Sequence, residues 1–232
     1  MNNELYNKIK KYYQNNLNKS TICKECIKNG KRNTLGMWHC GANATNGIMF
    51  VGKTAVTEDY EYITIPKDVP QFITGEKYQS VFWSFIQEIS KEKYADGYLE
   101  RICITNLIKC NGGKNEDSTD KEMLNCCLKN NYLIEEIKIV KPKYIIFFLN
   151  DWYKNQLFSM EDDKEIINEN LKEYIKGNIK HDVLEYNDKK MPKCYFEMIV
   201  DNHNCKCLLV GHPQGKPKEE YLEILREFLE IE

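Results

Sequence analysis

The chain has 232 residues, of which 42% are hydrophobic and 29% are charged, and its formal net charge is −2. That length and composition predict a globular protein with a substantial core, and the near-neutral charge excludes a uniformly basic nucleic-acid binder. DNA binding would therefore need a local basic face. No apolar run approaches membrane-spanning length, and the first residues lack the basic and apolar regions of a signal peptide. We therefore expect a cytoplasmic protein whose ten cysteines are thiols or metal ligands rather than disulfides.

Helical and strand-like segments alternate along the N-terminal half of the chain. Residues 5–17 have a helical hydrophobic pattern, residues 48–51 form a short apolar strand, and residues 76–89 form an amphipathic helix. The segment 54–75 lacks such a pattern and contains two prolines. Long loops between a strand and a helix are more often functional than idle.

The middle of the chain contains the two most apolar strands that we predict. A buried central strand begins near Arg101 and ends at Asn106, and a helix that bears cysteines then runs to Val140. Residues 144–149 are predicted to be a fully buried parallel strand.

The C-terminal third is predicted to contain helical segments, a polar insertion, two strands and a closing helix. Residues 152–176 are expected to be helical in two pieces, and the polar residues 180–192 to form an insertion. Two strands, 195–200 and 206–210, and a closing helix, 219–231, are expected to follow. Strands that alternate with helices predict an α/β fold, namely a three-layer α/β/α sandwich with a mostly parallel central sheet. We expect a single domain over residues 1–232.

Two pairs of cysteines indicate a metal site. Cys23 and Cys26 form a C-x2-C pair, and Cys126 lies sixteen positions after Cys110. One such pair is a weak signal, but two pairs on a chain without an export signal are a stronger one. Four thiolates suit either a [4Fe–4S] cluster or an all-cysteine zinc site. Cys127 could replace Cys126 as a ligand, although one residue turns a helix by about 100°.

Polar side chains are predicted at the carboxyl ends of two strands, where ligands of open α/β sheets collect. Asn106 ends the central strand, and its carboxamide can both donate and accept hydrogen bonds. His212 directly follows the last strand. An asparagine that only caps a strand and a histidine with a structural role are the commoner cases, so the surrounding motifs must decide.

Those motifs resemble the uracil-DNA glycosylase superfamily, and most closely the iron–sulfur (family 4) uracil-DNA glycosylases. They are the C-x2-C pair, the glycine- and asparagine-containing segment 41–52, the run Thr-Asn-Leu-Ile-Lys-Cys at 105–110 with its later cysteine, and Leu-Leu-Val-Gly-His-Pro-Gln at 208–214. Together they extend from residue 23 to residue 214 in the family's order. The resemblance implies a uracil-DNA glycosylase-like fold. It also implies hydrolysis of the N-glycosidic bond of a flipped-out base in DNA, most simply uracil, as a step of DNA repair.

The resemblance also assigns roles to individual residues. Asn106 would pair with the polar edge of uracil, and Phe72 would stack on the flipped base. His212 would donate a hydrogen bond to the departing base, on which negative charge develops. Gly52 would let the backbone approach the ligand. The four cysteines, Cys23, Cys26, Cys110 and Cys126, would hold a [4Fe–4S] cluster, with zinc as the alternative.

Lys53 departs from the family pattern, in which a glutamate at this position holds the attacking water. Glu58 or Asp59 in the following loop could supply a carboxylate instead. Lys53 could also contact a phosphate, act as an amine nucleophile or be merely solvated. The catalytic candidates are therefore His212, Lys53 and Asp59. Gln214 in place of the serine of His-Pro-Ser is a smaller departure.

Two other functions stay open besides uracil removal. A changed pocket floor at Lys53 could select another modified base. Loss of the carboxylate could instead have left a non-catalytic, iron–sulfur nucleic-acid-binding protein of the same fold. In each case we expect DNA as the partner, a monomeric protein and no membrane. Four lysines lie near the predicted site in sequence and could contact phosphates, although each could equally be a solvated surface residue: Lys109, Lys114, Lys216 and Lys218.

Overall fold

The computed structural model describes residues 3–16, 32–34, 37–53, 69–76, 80–111, 121–161, 164–186 and 189–231. These residues form seven α-helices and eleven strands. The helices are α1 Glu4–Asn16, α2 Val69–Thr74, α3 Val81–Tyr94, α4 Lys121–Lys129, α5 Tyr132–Val140, α6 Asp151–Leu157 and α7 Lys218–Leu229. The strands are β1 Arg32–Thr34, β2 His39–Cys40, β3 Ile48–Gly52, β4 Ile102–Asn106, β5 Cys110–Asn111, β6 Tyr144–Phe148, β7 Phe158–Glu161, β8 Lys164–Ile167, β9 Ile175–Tyr186, β10 Lys189–Val200 and β11 His203–Val210.

Seven of these strands form one central sheet in the order β2-β4-β3-β6-β11-β10-β9. The pairs β4–β3, β3–β6 and β6–β11 are parallel. β2 is antiparallel to β4, and β10 is antiparallel to both β11 and β9. The mixed α/β class predicted from the sequence is confirmed, and β3, β4, β6 and β11 all end at the same edge of the sheet.

Alternate side chains of the buried strands enter two different hydrophobic clusters. Met49 and Val51 of β3 belong to a cluster that also contains buried residues of α1, α4, α5 and α6. Ile48 and Phe50 belong to a second cluster, with buried residues of α2, α3 and α7. All five residues of β3 and of β6 are buried. A strand buried on both faces has a continuously apolar sequence, which explains why both were recognisable.

Several predicted helices begin or end elsewhere than expected. α3 begins at Val81 rather than at residue 76, because the Ser80 side chain accepts a hydrogen bond from the backbone N–H of Trp83 at 3.3 Å and caps the helix there. The helix expected to run unbroken to Val140 is two helices, because Asn131 has a left-handed conformation (φ 54°) between them. α2 lies within the segment expected to be irregular, with Pro70 in its first turn, where a missing N–H is tolerated.

The predicted helices between residues 152 and 176 are mostly wrong. Among the described residues of that range only α6 is helical, and β7 and β8 follow it as an antiparallel pair. Of the polar residues 180–192, expected to form an insertion, 180–186 belong to β9 and 189–192 to β10, and the two strands pair antiparallel. Pairing with a neighbouring strand overrides the weak helical preference of such lysine- and glutamate-rich segments.

Within the described ranges, the helices are all too short or too polar to cross a membrane.

Candidate active site at the carboxyl edge of the sheet

A cavity of about 640 Å³ opens at the edge where the parallel strands end. Each of the four parallel strands contributes the residue at its carboxyl end or just beyond it. These residues are Lys53 after β3, Asn106 at the end of β4, Asn150 after β6 and His212 after β11. This edge is where ligands bind in open α/β sheets.

The structure brings together four of the residues that the sequence singled out, since Gly52, Lys53, Asn106 and His212 all line this cavity. Phe72 lines a smaller neighbouring cavity instead, and its ring stacks on Trp83 with 6.3 Å between centroids. Asp59, like Glu58, lies outside the described residues.

Asn106 is held in place by three neighbours. Gly52 pairs with it directly across β3 and β4, and a Cβ at position 52 would lie 2.5 Å from the Asn106 carboxamide. Only one carboxamide orientation satisfies both remaining neighbours. In that orientation Oδ1 accepts from the indole Nε1–H of Trp38 at 2.9 Å, and Nδ2 donates to the carbonyl oxygen of Thr105 at 3.3 Å. The absence of a side chain at Gly52 is therefore what lets Asn106 lie over β3.

His212 is oriented by its own turn. Its Nδ1 accepts a hydrogen bond from the backbone N–H of Gln214 at 3.3 Å. A neutral imidazole has one donor and one acceptor nitrogen, so this contact places the ring proton on Nε2. The Phe82 ring stacks on the imidazole with 5.4 Å between centroids and a 10° interplanar angle. His212 can therefore offer an Nε2–H donor to a ligand.

Aromatic rings form one wall of the cavity: Trp38, Phe82 and Trp83. Trp38 and Trp83 lie 6.1 Å apart, and Phe82 meets Trp83 edge to face at 5.0 Å. Phe82 lies within the amphipathic helix that the sequence predicts, and no signal in the sequence indicated that its ring lines a cavity. Such a wall is suited to stacking against a planar base.

The charged residues of the cavity are mainly lysines. Lys53, Lys190 and Lys216 line it, and Asp151 is the only carboxylate among the described lining residues. Asp151 is the first residue of α6, directly after Asn150, whose side chain accepts from the backbone N–H of Tyr153. Sequence reasoning missed Asp151, although its position just after a buried strand could have identified it by the same rule that identified Asn106.

A fully buried polar network lies beside Asn106. Lys109 Nζ contacts both carboxylate oxygens of Glu136 at 2.8 and 2.9 Å, and the hydroxyls of Thr105 and Tyr13 also hydrogen bond to that carboxylate. Burial lowers the pKa of the Lys109 ammonium, with Glu136 acting in the opposite direction, and raises the pKa of the Tyr13 phenol. The predicted phosphate contact of Lys109 is wrong, because its side chain is 0% exposed.

The other predicted phosphate contacts fall in different places. Lys216 lines the cavity, and Lys218 forms an ion pair with Glu88 at 2.6 Å. Lys114 lies outside the described residues.

The predicted metal ligands are described only in part. Cys23 and Cys26 lie outside the described residues, whereas Cys110 is in β5 and Cys126 is buried in α4. The described part of the chain contains no group of three or more His, Cys, Asp or Glu side chains arranged to hold a metal. The four-cysteine site therefore stays a prediction.

The chain matches no protein-family model, and no curated protein is significantly similar to it.

Proposed function

We propose that this protein is a DNA glycosylase with a uracil-DNA glycosylase-like, three-layer α/β/α fold, and that it hydrolyses the N-glycosidic bond of a flipped-out uracil during DNA repair. The observation that carries the proposal is the convergence of Lys53, Asn106 and His212 on one cavity. These residues come from three distant segments of the chain, and the sequence motifs alone single them out. Gly52, the fourth such residue, leaves the space that Asn106 occupies.

The residues around the cavity suit the separate steps of base removal. A flipped base would stack against the wall of Trp38, Phe82 and Trp83, and Asn106 would read its polar edge. As the glycosidic bond breaks, negative charge develops on the base, and the Nε2–H of His212 would stabilise it. In that setting Lys53 would add a positive charge close to the same anion.

Asp151 is the best candidate for the carboxylate that holds the attacking water. The family position for that group is occupied by Lys53, so a carboxylate must come from elsewhere if water is to be positioned. Asp151 lies on the same cavity, at the end of the neighbouring parallel strand β6. A positioned carboxylate contributes roughly a hundredfold or more to such a step.

A [4Fe–4S] cluster on Cys23, Cys26, Cys110 and Cys126 is part of the proposal, with zinc as the alternative. β1 begins six residues after Cys26 and pairs with β5, in the register Thr34 opposite Cys110. This pairing supports the ligand set, because it brings the chain that follows the C-x2-C pair against the strand that begins with the third cysteine. When bound, the cluster would serve to tie these segments together.

DNA would approach the cavity through its basic rim. Lys190 of β10 and Lys216 after β11 line the cavity and could contact phosphates on either side of a flipped nucleotide. This local surplus of lysines is the kind of basic face that a nearly neutral chain needs to bind DNA. The monomeric state and cytoplasmic location stay predictions.

A second candidate is a glycosylase for a larger modified base. The cavity lies within the range of about 300–1,000 Å³ that is typical of sites for drug-sized ligands, which leaves room beyond a single pyrimidine ring. Lys53 and Lys190 could also contact polar substituents of such a base. The site would then catalyse the same hydrolysis on a different base.

Base release from oligonucleotides tests the function. The purified protein is incubated with single- and double-stranded oligonucleotides that contain one uracil, thymine or modified pyrimidine, and alkali then cleaves the strand at any abasic site. We expect release of uracil and a large loss of release in His212→Ala. Release of a modified base alone would favour the second candidate. Binding without release of any base would favour a non-catalytic binding protein.

A further inference from the structure

The hydrogen bond between Trp38 and Asn106 also fixes which end of the asparagine carboxamide is the donor and which is the acceptor. A carboxamide can turn by 180° about its last bond, which exchanges its donor and acceptor with almost no change of shape. The indole Nε1–H of Trp38 is only a donor, so it selects the orientation in which Oδ1 of Asn106 faces it at 2.9 Å. The carbonyl oxygen of Thr105, which is only an acceptor, selects the same orientation through Nδ2.

We propose that Trp38 is a specificity-determining residue, which locks the Asn106 carboxamide so that the site accepts a uracil-type edge and rejects a cytosine-type edge. This inference rests on the proposed function and names the chemistry by which that site would choose its base.

The two bases differ in the groups that the carboxamide would meet. Uracil presents an N3–H donor beside a carbonyl acceptor, whereas cytosine presents an N3 acceptor beside an amino donor. After the contacts to Trp38 and Thr105, Asn106 keeps one lone pair on Oδ1 and one hydrogen on Nδ2. A base held in one position can match this pair in only one sense. Turning the carboxamide to suit the other base would face Nδ2 towards the indole N–H and Oδ1 towards the Thr105 carbonyl.

Trp38 is itself held rigidly enough to act as the lock. Its backbone N–H donates to the carbonyl oxygen of Ile104 at 2.7 Å, which fixes it against β4 two residues before Asn106. Its ring packs against Trp83, and both rings line the cavity. Gly52 closes the opposite side of the carboxamide, where even a Cβ would lie only 2.5 Å away. These contacts leave the amide little freedom except the 180° rotation, which Trp38 opposes together with the Thr105 carbonyl.

The test compares Trp38→Phe with Trp83→Phe. Trp38→Phe keeps an aromatic wall and removes the donor, whereas Trp83→Phe makes the same change at a ring that is not one of the hydrogen-bond partners of the Asn106 carboxamide. Binding is measured with oligonucleotides that contain 2′-fluorinated deoxyuridine or deoxycytidine, whose glycosidic bonds resist cleavage, alongside release of uracil and cytosine from ordinary oligonucleotides. Thermal melting checks that both variants are folded.

We expect the parent to prefer uracil in both measurements. Trp38→Phe should lower the uracil-to-cytosine ratio roughly ten- to a hundredfold, since turning the carboxamide to suit cytosine then conflicts only with the Thr105 carbonyl and no longer with the indole N–H. Trp83→Phe should weaken both bases alike and leave the ratio unchanged. A folded Trp38→Phe variant with the parent's ratio would overturn the inference.

The same measurements distinguish a failure of the proposed function from a failure of the inference about Trp38. A parent that binds uracil in preference but releases no base would contradict the glycosylase activity, and a fall of the binding ratio in Trp38→Phe would still support the lock. A parent that shows no preference in binding and releases no base would overturn both.

Discussion

At the level of single residues, the position of the Asn106 side chain explains why a glycine is needed at position 52. They are partners across β3 and β4, and the Asn106 carboxamide lies so close to Gly52 that a Cβ there would approach it to 2.5 Å. Any larger residue at position 52 would push the carboxamide away from Trp38 and Thr105. The glycine is needed here for close approach, since it ends a regular strand beside the Asn106 carboxamide.

Replacing Asn106 by aspartate should separate its reading role from its structural one. Aspartate has nearly the same shape and can still accept from Trp38, but it loses the Nδ2 donor. We expect Asn106→Asp to lower the preference for uracil roughly ten- to a hundredfold, with little change in melting temperature. Asn202→Asp, in the exposed turn before β11, is the charge-matched control. An unchanged base preference would show that Asn106 only terminates its strand.

Asp151 can be tested as the water-holding carboxylate by Asp151→Asn. The amide keeps the shape of the side chain but is a much weaker base, so single-turnover uracil release should fall roughly a hundredfold or more. Binding to an uncleavable uracil oligonucleotide should change little. Equal losses in binding and in release would instead assign Asp151 to substrate binding.

Lys53→Glu is the complementary test, in which activity should rise rather than fall. It restores a carboxylate at the position where the resembling family has one, so it should raise uracil release or broaden the bases accepted. The most informative background is Asp151→Asn, in which Lys53→Glu should recover part of the lost rate. A double variant no faster than Asp151→Asn alone would mean that a carboxylate at position 53 does not hold the water.

At the level of secondary-structure elements, the Lys109–Glu136 network joins β4 to α5 and, through Tyr13, to α1. Removing one partner of a buried ion pair leaves an uncompensated charge, so Glu136→Gln should lower the free energy of unfolding by about 3–5 kcal/mol. Glu135→Gln is the matched control, because its ion pair with Lys138 is partly exposed and contributes about 0–1 kcal/mol. Urea titrations of the variants measure both changes.

The double change Lys109→Met with Glu136→Leu tests whether the cost comes from the unpaired charge. Replacing a whole buried pair by apolar residues is often neutral or stabilising. The double variant should therefore be more stable than Glu136→Gln. A double variant less stable than the single one would indicate that the hydrogen bonds to Thr105 and Tyr13 matter more than the charge.

The elements that could be predicted from the sequence are those whose hydrophobic pattern is complete within the element itself. β3 and β6 are continuous apolar runs, and α7 has a clear helical stripe, so both strands and this helix were found close to their observed bounds. β9 was missed because its structure depends on pairing with β10, a contact that leaves little trace in a polar sequence. The start of α3 was misplaced because the Ser80 cap is a single residue among several polar ones.

The candidate site was predictable to the extent that strand ends were predictable. Lys53, Asn106 and His212 each follow an apolar strand, and parallel strands bring their carboxyl ends to one edge. The aromatic wall was not predictable in this way, since Phe82 and Phe72 lie on helices whose rotation about their axes depends on tertiary packing. Phe72 therefore lies one cavity away from its expected position, with Trp83 between the two cavities.

At the level of the whole molecule, the proposed cluster would join segments that the central sheet leaves apart. β1 and β5 form a separate two-stranded sheet, and α4 follows β5 in the chain. Cys127 of α4 faces the buried network, because its Sγ accepts a hydrogen bond from the backbone N–H of Lys109 at 3.3 Å. Cys126, one residue earlier, projects about 100° away around the helix. This arrangement favours Cys126 as the ligand and Cys127 as a structural thiol.

Serine substitutions test this assignment. Cys110→Ser and Cys126→Ser should each lose most of the bound iron, acid-labile sulfide and brown colour of protein purified without oxygen, because serine is a poor ligand for iron–sulfur clusters. Cys127→Ser should keep its iron and lose only a little stability, since a hydroxyl can still accept from Lys109. Loss of iron in Cys127→Ser with retention in Cys126→Ser would reverse the assignment of the two cysteines. Stoichiometric zinc in the parent, bound through the same cysteines, would replace the cluster by an all-cysteine zinc site that ties the same segments together.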